Sequence, residues 1–269
     1  MIRIGIDEAG LGPVLGPMVV AAVAVDGDPA GLAALGAKDS KQLHKPGDLR
    51  PLAAVAVPLL RWLTGAQPRT ARDLFGLVGD GGHLPWLADA DLLPLPGAGY
   101  DPWQVPGCTP AGWRVRVLHA ADINDPAHPS KASLELATVG AMVAGLARPP
   151  AMVQVDRLGG RRFYGEAITG WLGAPVEVMA ETPRHSAYRC AGIDIAFTVG
   201  ADGSDATVAA ASCLAKFVRE VHMLCFNRWW SAQVPGLKPT AGYPEDAARW
   251  LRDSAGRRPV ADTILVRTR

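Results

Sequence analysis

Apolar positions alternate through IRIGID (Ile2 to Asp7), several of them β-branched, which predicts a strand. MVVAAVAV (Met18 to Val25) is apolar throughout, the pattern of a second strand buried on both faces. Between them Gly10, Gly12, Pro13, Gly16 and Pro17 exclude a regular helix and predict a tight connection. Asp48 to Leu63 is helical in composition, with Pro51 and Pro58 set to start or kink it. Trp113 to Ala120 returns to strand, and Pro129 to Ala147 predicts a helix opened by Ser130 or Pro129. AMVQVD (Ala151 to Asp156) reads as another buried strand, ending on a carboxylate. Residues 161–173 predict a helix, and 175–181 and 192–199 two further strands. The longest helix is expected over Asp205 to Trp230, with a last one from about Pro244 to Ser254. Strands and helices in this order predict an α/β domain with a mixed sheet.

From about Gly65 to Gly112 the chain shifts to glycine, proline, tryptophan and aspartate, as in GDGGHLPW and PLPGAGYDPW. An irregular tract of that length inside a domain reads as a functional lid or an insertion. Its aromatics, Trp86, Tyr100 and Trp103, are candidates for stacking on bases or for a small local core. No internal repeat is visible. The expected organisation is one domain over residues 1–230, interrupted at about 65–112, followed by a helical extension over 231–269 that packs on it.

The 269 residues are 49% hydrophobic and 20% charged, which excludes a disordered chain and allows a full core. A net charge of +1 gives no overall field toward nucleic acid or anionic lipid, although a local basic strip is compatible with it. The four cysteines form no CxxC pair and no zinc spacing, as in a reduced cytosolic protein. The longest apolar run contains Pro17 and is too short to span a bilayer, and Asp7 and Glu8 interrupt any signal-peptide pattern. The expectation is a soluble, cytoplasmic monomer with no membrane partner.

Two predicted strands end on carboxylates, one on Asp7 and Glu8 and the other on Asp156. Ligands of α/β sheets gather outside strand ends. The longest helix offers Glu220 on one stripe with Ala209, Ser212 and Lys216. Alone, such a glutamate reads as part of a solvated face. Together, Asp7, Glu8, Asp156 and Glu220 repel unless divalent metal neutralises them, and hard oxygen ligands suit Mg²⁺ or Mn²⁺. Two such ions about 3.5–4 Å apart clamp the attacking and leaving oxygens of a phosphoryl transfer. Neighbouring strand residues alternate faces, so the glycine turn is expected to end the first strand and let Glu8 curl back toward the site. A GxxxxGK[ST] loop, an HExxH pair and a GxSxG elbow are all missing from the chain.

GIDEAGLGPVLGPMVVAAVAV resembles the opening of the type 2 ribonucleases H (ribonuclease HII and HIII), with Asp-Glu-Ala-Gly before a Gly-Pro turn and an apolar strand. KDSKQL (Lys38 to Leu43) is similar to the family's Asp-Ser-Lys-x-Leu stretch, VQVD to its third acidic strand, and VAAASCLAKFVRE to its Ala-Ala-Ser-x-x-Ala-Lys helix. The resemblance implies a ribonuclease H-like fold and metal-dependent, two-ion hydrolysis of the RNA strand of RNA/DNA hybrids. It implies Asp7, Glu8 and Asp156 as catalytic metal ligands, with Glu220 where the family has aspartate. It also implies substrate contacts at Gly10, Leu11, Gly12, Ser40, Lys41, Ser212, Lys216 and Tyr243, with Lys41 on phosphate and Lys216 offsetting charge near Glu220. Leu11 replaces the arginine of the family's Gly-Arg-Gly, and Pro235 and Ala241 replace a tyrosine and a lysine downstream. These departures leave open a related nuclease of DNA or structured RNA, or a nucleic-acid-binding protein with weakened catalysis.

Overall fold

The computed structural model describes residues 1–34, 36–37, 40–43, 45, 47–81, 84–97 and 103–268, with the side chains of Lys41 and Gln42 left out. Its strands are β1 (Ile2–Ala9), β2 (Met18–Gly27), β3 (Cys108–Leu118), β4 (Ala151–Asp156), β5 (Val176–Glu181), β6 (His185–Cys190) and β7 (Ile193–Thr198). They form one seven-stranded mixed sheet in the order β3-β2-β1-β4-β7-β6-β5. The pairs β1/β4 and β4/β7 are parallel, and the others are antiparallel.

The helices are α1 (Ala30–Ala34), α2 (Ser40–Leu43), α3 (Arg50–Thr64), α4 (Ala71–Leu77), α5 (Ala120–Asn124), α6 (Lys131–Leu146), α7 (Gly165–Leu172), α8 (Ala206–Gln233), α9 (Pro244–Asp253) and α10 (Asp262–Leu265). Two apolar layers sandwich the sheet. Ile4, Ile6, Met18 and Val20 face α6 and α7, while Val19, Ala21 and Val23 face α8 and α3. β2 lies between both layers, which is why its first eight residues are buried without any alternation of polarity.

α8 opens on Asp205, whose carboxylate accepts from the Thr207 and Val208 amides. Its first turn lies directly on β1 at Gly5, where a Cβ would stand 2.1 Å from the Thr207 carbonyl carbon. Only backbone can yield there. Gly5→Ala is therefore expected to lower stability by about 3 kcal/mol, read as a reduced midpoint in denaturant unfolding. An unchanged midpoint would show that α8 shifts freely over the sheet.

The structure departs from the sequence expectations in three places. β3 begins at Cys108 rather than Trp113, because Thr109 and Pro110 pair with Asp26 and Val25 beyond a bulge. Pro110 is tolerated because β3 is an edge strand. β6 was not expected; it joins β7 through Ala191 and Gly192, both at positive φ, the geometry of a two-residue hairpin. The 65–112 tract contains α4 and the 3₁₀ turns Pro85–Leu87 and Ala90–Leu92. Trp86 and Trp103 are only 6% and 8% exposed and belong to the layer on α8, so they are core residues and not a stacking surface. Tyr100 lies outside the described residues. Asp80, also in this tract, stands 3.1 Å from His119 Nε2 and 3.0 Å from His222 Nε2, which pins the tract to α8.

Candidate active site

β1 and β4 run parallel with Ile6 beside Val155, so Asp7 and Asp156 follow on neighbouring strands at the same end of the sheet. Asp7 lies on the α8 side with Gly5, and Glu8 continues the α6 side of Ile4 and Ile6. β1 does not stop at Asp7: it stays paired with β2 through Ala9, so Glu8 does not curl back out of a broken strand. β4 ends at Asp156, and beyond it no strand separates the two faces. Asp7, Glu8 and Asp156 accordingly each bring a carboxylate oxygen within 4.8 Å of the others.

Each acid is fixed by a different element. The Ser212 hydroxyl of α8 hydrogen-bonds Asp7, and the Glu8 amide donates to Asp7 Oδ1 at 2.7 Å. Ser212 Oγ in turn shares a 3.0 Å hydrogen bond with Ser40 Oγ of α2, tying the short helix to the site. Asp156 Oδ1 accepts from the Ala201 amide at 2.8 Å, at the start of the 3₁₀ turn Ala201–Gly203. That contact brings the next residue, the buried Asp202, to the same strand end.

Glu135 of α6 approaches from the other face. It is fully buried, and neither of its carboxylate oxygens has a hydrogen-bond partner among the described residues. Glu8 Oε2 is likewise buried without a partner. Burial, then the Glu8 and Asp156 charges, push the Asp7 carboxyl well above the usual carboxylate range. Burial and the Glu135 and Asp156 charges raise Glu8 to about 8. Burial, Asp7 and Asp156 raise Glu135 to about 7. An all-oxygen donor set, compressed and short of hydrogen-bond donors, fits a hard divalent cation.

Glu220 does not join this cluster. It lies eight residues beyond Ser212 on α8, about 12 Å along the axis at 1.5 Å per residue. Its carboxylate instead meets Lys216 Nζ at 3.4 Å and Arg219 Nη1 at 3.3 Å. Lys216 thus offsets Glu220 as expected, but away from the three strand-end acids. The acids that sequence reasoning missed are Asp202 and Glu135. Asp202 follows β7, the third parallel strand, so the strand-end criterion that singled out Asp7 and Asp156 also applies to it. The signal for Glu135 was a glutamate inside an apolar helix, between Leu134 and Val139 of its buried face.

The glycine turn lies beside the cluster. Gly10 has φ +89° and sits on the Arg219 side chain, where a Cβ would come within 2.3 Å of Nε. Arg219 is buried and donates to the Ala241 carbonyl. Arg267, also buried, donates to the Gly10, Pro13 and Gly16 carbonyls and holds the turn from below. Leu11 packs partly against the α6 layer. Gly12 faces Tyr243, a 46% exposed ring that stacks over the Arg219 guanidinium. Lys216, Glu220, Asn227, Thr240 and Tyr243 line an adjoining groove of about 690 Å³. The expected phosphate contact of Lys41, and Lys38 and Asp39 of the same stretch, lie outside the described residues.

The Ribonuclease HII family model matches residues 4–53, the stretch that carries Asp7, Glu8 and the glycine turn. Ribonuclease HII of Hyperthermus butylicus is 29% identical over 270 aligned positions, covering 98% of this chain and 80% of that protein. Ribonuclease HII of Methanocaldococcus jannaschii is 63% identical over 46 residues, 17% of this chain and 20% of that one. Among solved structures, ribonuclease H2 from Pyrococcus horikoshii superposes with a TM-score of 0.56 at 20% identity, covering 98% of this chain and 92% of that one. Ribonuclease HII from Archaeoglobus fulgidus, solved in complex with PCNA, gives 0.56 at 19% identity, covering 100% and 95%. Bst-RNase HIII in complex with Mn²⁺ gives 0.50 at 22% identity, covering 100% and 66%. The structural matches establish a ribonuclease H-like fold. The sequence matches, centred on the acidic strand and its glycine turn, make this chain similar to the type 2 ribonucleases H over that stretch.

Proposed function

We propose that this protein hydrolyses the RNA strand of RNA/DNA hybrids with divalent cations held by Asp7, Glu8 and Asp156. The observation that carries the proposal is the convergence of those three acids within 4.8 Å at a strand end, with Glu8 Oε2 buried and lacking a donor. Asp202, at the same strand end, is a further candidate acid. Bound Mg²⁺ or Mn²⁺ supplies Lewis-acid activation of water and neutralises charge at the scissile phosphate.

The chain's own residues do the positioning. Ser212 orients Asp7, and the Ala201 amide orients Asp156. The backbone of Gly12, with only the Tyr243 ring beside it, has the room to approach a ribose and read its 2′-hydroxyl. Tyr243, exposed beside Gly12, offers a ring face to sugar or base. Lys216 and the groove beyond it extend toward the flanking backbone.

Leu11 brings no charge to phosphate, and Arg219 and Arg267 are buried beneath the turn, where they do not replace the missing guanidinium. Discrimination at an RNA–DNA junction is therefore weak. Each missing contact is worth about 1–3 kcal/mol, tenfold to a hundredfold. The test is cleavage of labelled hybrid, duplex DNA, duplex RNA, and duplexes carrying four or one ribonucleotides, each with Mg²⁺ or Mn²⁺. Hybrid cleavage that stops with chelator is expected, with the four-ribonucleotide duplex cut at least as fast as the single one. Cleavage of duplex DNA alone would overturn the substrate, and a strong single-ribonucleotide preference would overturn the reasoning from Leu11.

A further inference from the structure

We propose that Glu135 is a further oxygen ligand of the divalent-cation site, reaching it from α6 on the face of the sheet opposite α8. The inference deepens the function proposed above and rests on it. Glu135 has no exposed surface, and its two oxygens meet no donor among the described residues. Carboxylates are not left so in a protein interior, because removing the charge from water costs far more than apolar packing returns. A neutral carboxyl does not resolve the difficulty, since its hydroxyl would then be a buried donor with nothing to accept it.

What surrounds Glu135 is instead more negative charge. Its charge acts on Glu8, and the charges of Asp7 and Asp156 act on it in turn. The rest of its helix face, Leu134, Val139, Met142 and Val143, is apolar and packs under the sheet. A glutamate there makes sense only for something cationic at the strand end. Asp7, Glu8 and Asp156 meet within 4.8 Å at that point, and Glu135 stands outside that group, on the α6 side of the sheet with Leu134. A cation between them would have oxygens on both sides, the arrangement that hard divalent ions favour.

The test is Mn²⁺ binding by the full chain without nucleic acid, read from the electron paramagnetic resonance signal of free Mn²⁺. Wild type, Glu135→Gln, Glu135→Met and Asp7→Asn are compared, with folding checked by circular dichroism. Glu135→Gln keeps the shape and removes the charge; Glu135→Met also removes the buried polar group, so it remains usable if the glutamine variant does not fold. Either folded variant is expected to bind Mn²⁺ at least about tenfold more weakly, with the metal-free protein melting no lower than wild type. Wild-type affinity within twofold in a folded Glu135 variant, alongside loss of binding in Asp7→Asn, would remove Glu135 and leave the centre standing. Absence of Mn²⁺ binding by wild type would overturn the centre itself.

Discussion

Asp7→Asn is expected to slow cleavage of an RNA/DNA hybrid on the order of a thousandfold, as for loss of a group at the reacting centre, while raising the melting temperature of the metal-free protein. The two effects have one cause. Asp7 is buried beside Glu8 and Asp156, and its charge is tolerated only when a cation offsets it. Asparagine keeps the volume and keeps a carbonyl for the Ser212 hydroxyl, but supplies no negative charge to hold metal. Cleavage kinetics at saturating Mg²⁺ and Mn²⁺, paired with thermal melts in chelator, check both halves. Lost activity with a lowered melting temperature would mean that Asp7 is a structural residue, and full activity would remove it from the site.

Without divalent metal, the protein is expected to lose stability steadily between about pH 6.5 and 8, and saturating Mg²⁺ should restore it most at the alkaline end. Glu8 titrates at about 8 in the folded protein and Glu135 at about 7, both from an unfolded value of 4.5. Across that window the folded state retains protons that the unfolded state has already released. Stability therefore falls with rising pH, by at most about 1.4 kcal/mol per unit for each such group, a slope that fades for Glu135 above pH 7 and for Glu8 above pH 8. Below pH 6.5 the buried His222 adds a slope of opposite sign, because burial keeps its ring neutral and depresses its ionisation. The alkaline window isolates the carboxylates. Mg²⁺ binds the deprotonated cluster and only in the folded state, so its stabilisation grows as protons leave. Melts at pH 6.5, 7.25 and 8 with Mg²⁺ or chelator are the measurement. A flat metal-free profile would show that the acids are hydrated and do not compress one another.

The sequence by itself determined the strands β1, β2, β4, β5 and β7, the helices α3, α6, α7, α8 and α9, and two of the strand ends that carry acids. Those features are written locally, in the period of apolar residues, in caps such as Ser130 and Asp205, and in carboxylates placed where a strand stops. Tertiary structure alone decided the rest. β3 gained its first residues by pairing with β2, and β6 exists because β5 and β7 flank it. Trp86 and Trp103 became core because α8 lay beneath a tract that looks like surface in composition. Helical periodicity put Glu220 and Ser212 on one stripe, yet an α-helix rises 1.5 Å per residue, so sharing a stripe did not bring Glu220 to the acids that Ser212 touches. Glu135, far in sequence from Asp7 and Glu8, comes under their influence because α6 packs on the face of the sheet that Ile4 and Ile6 also face. Periodicity reports which way a side chain points, but which charges meet depends on contacts between elements far apart in the chain.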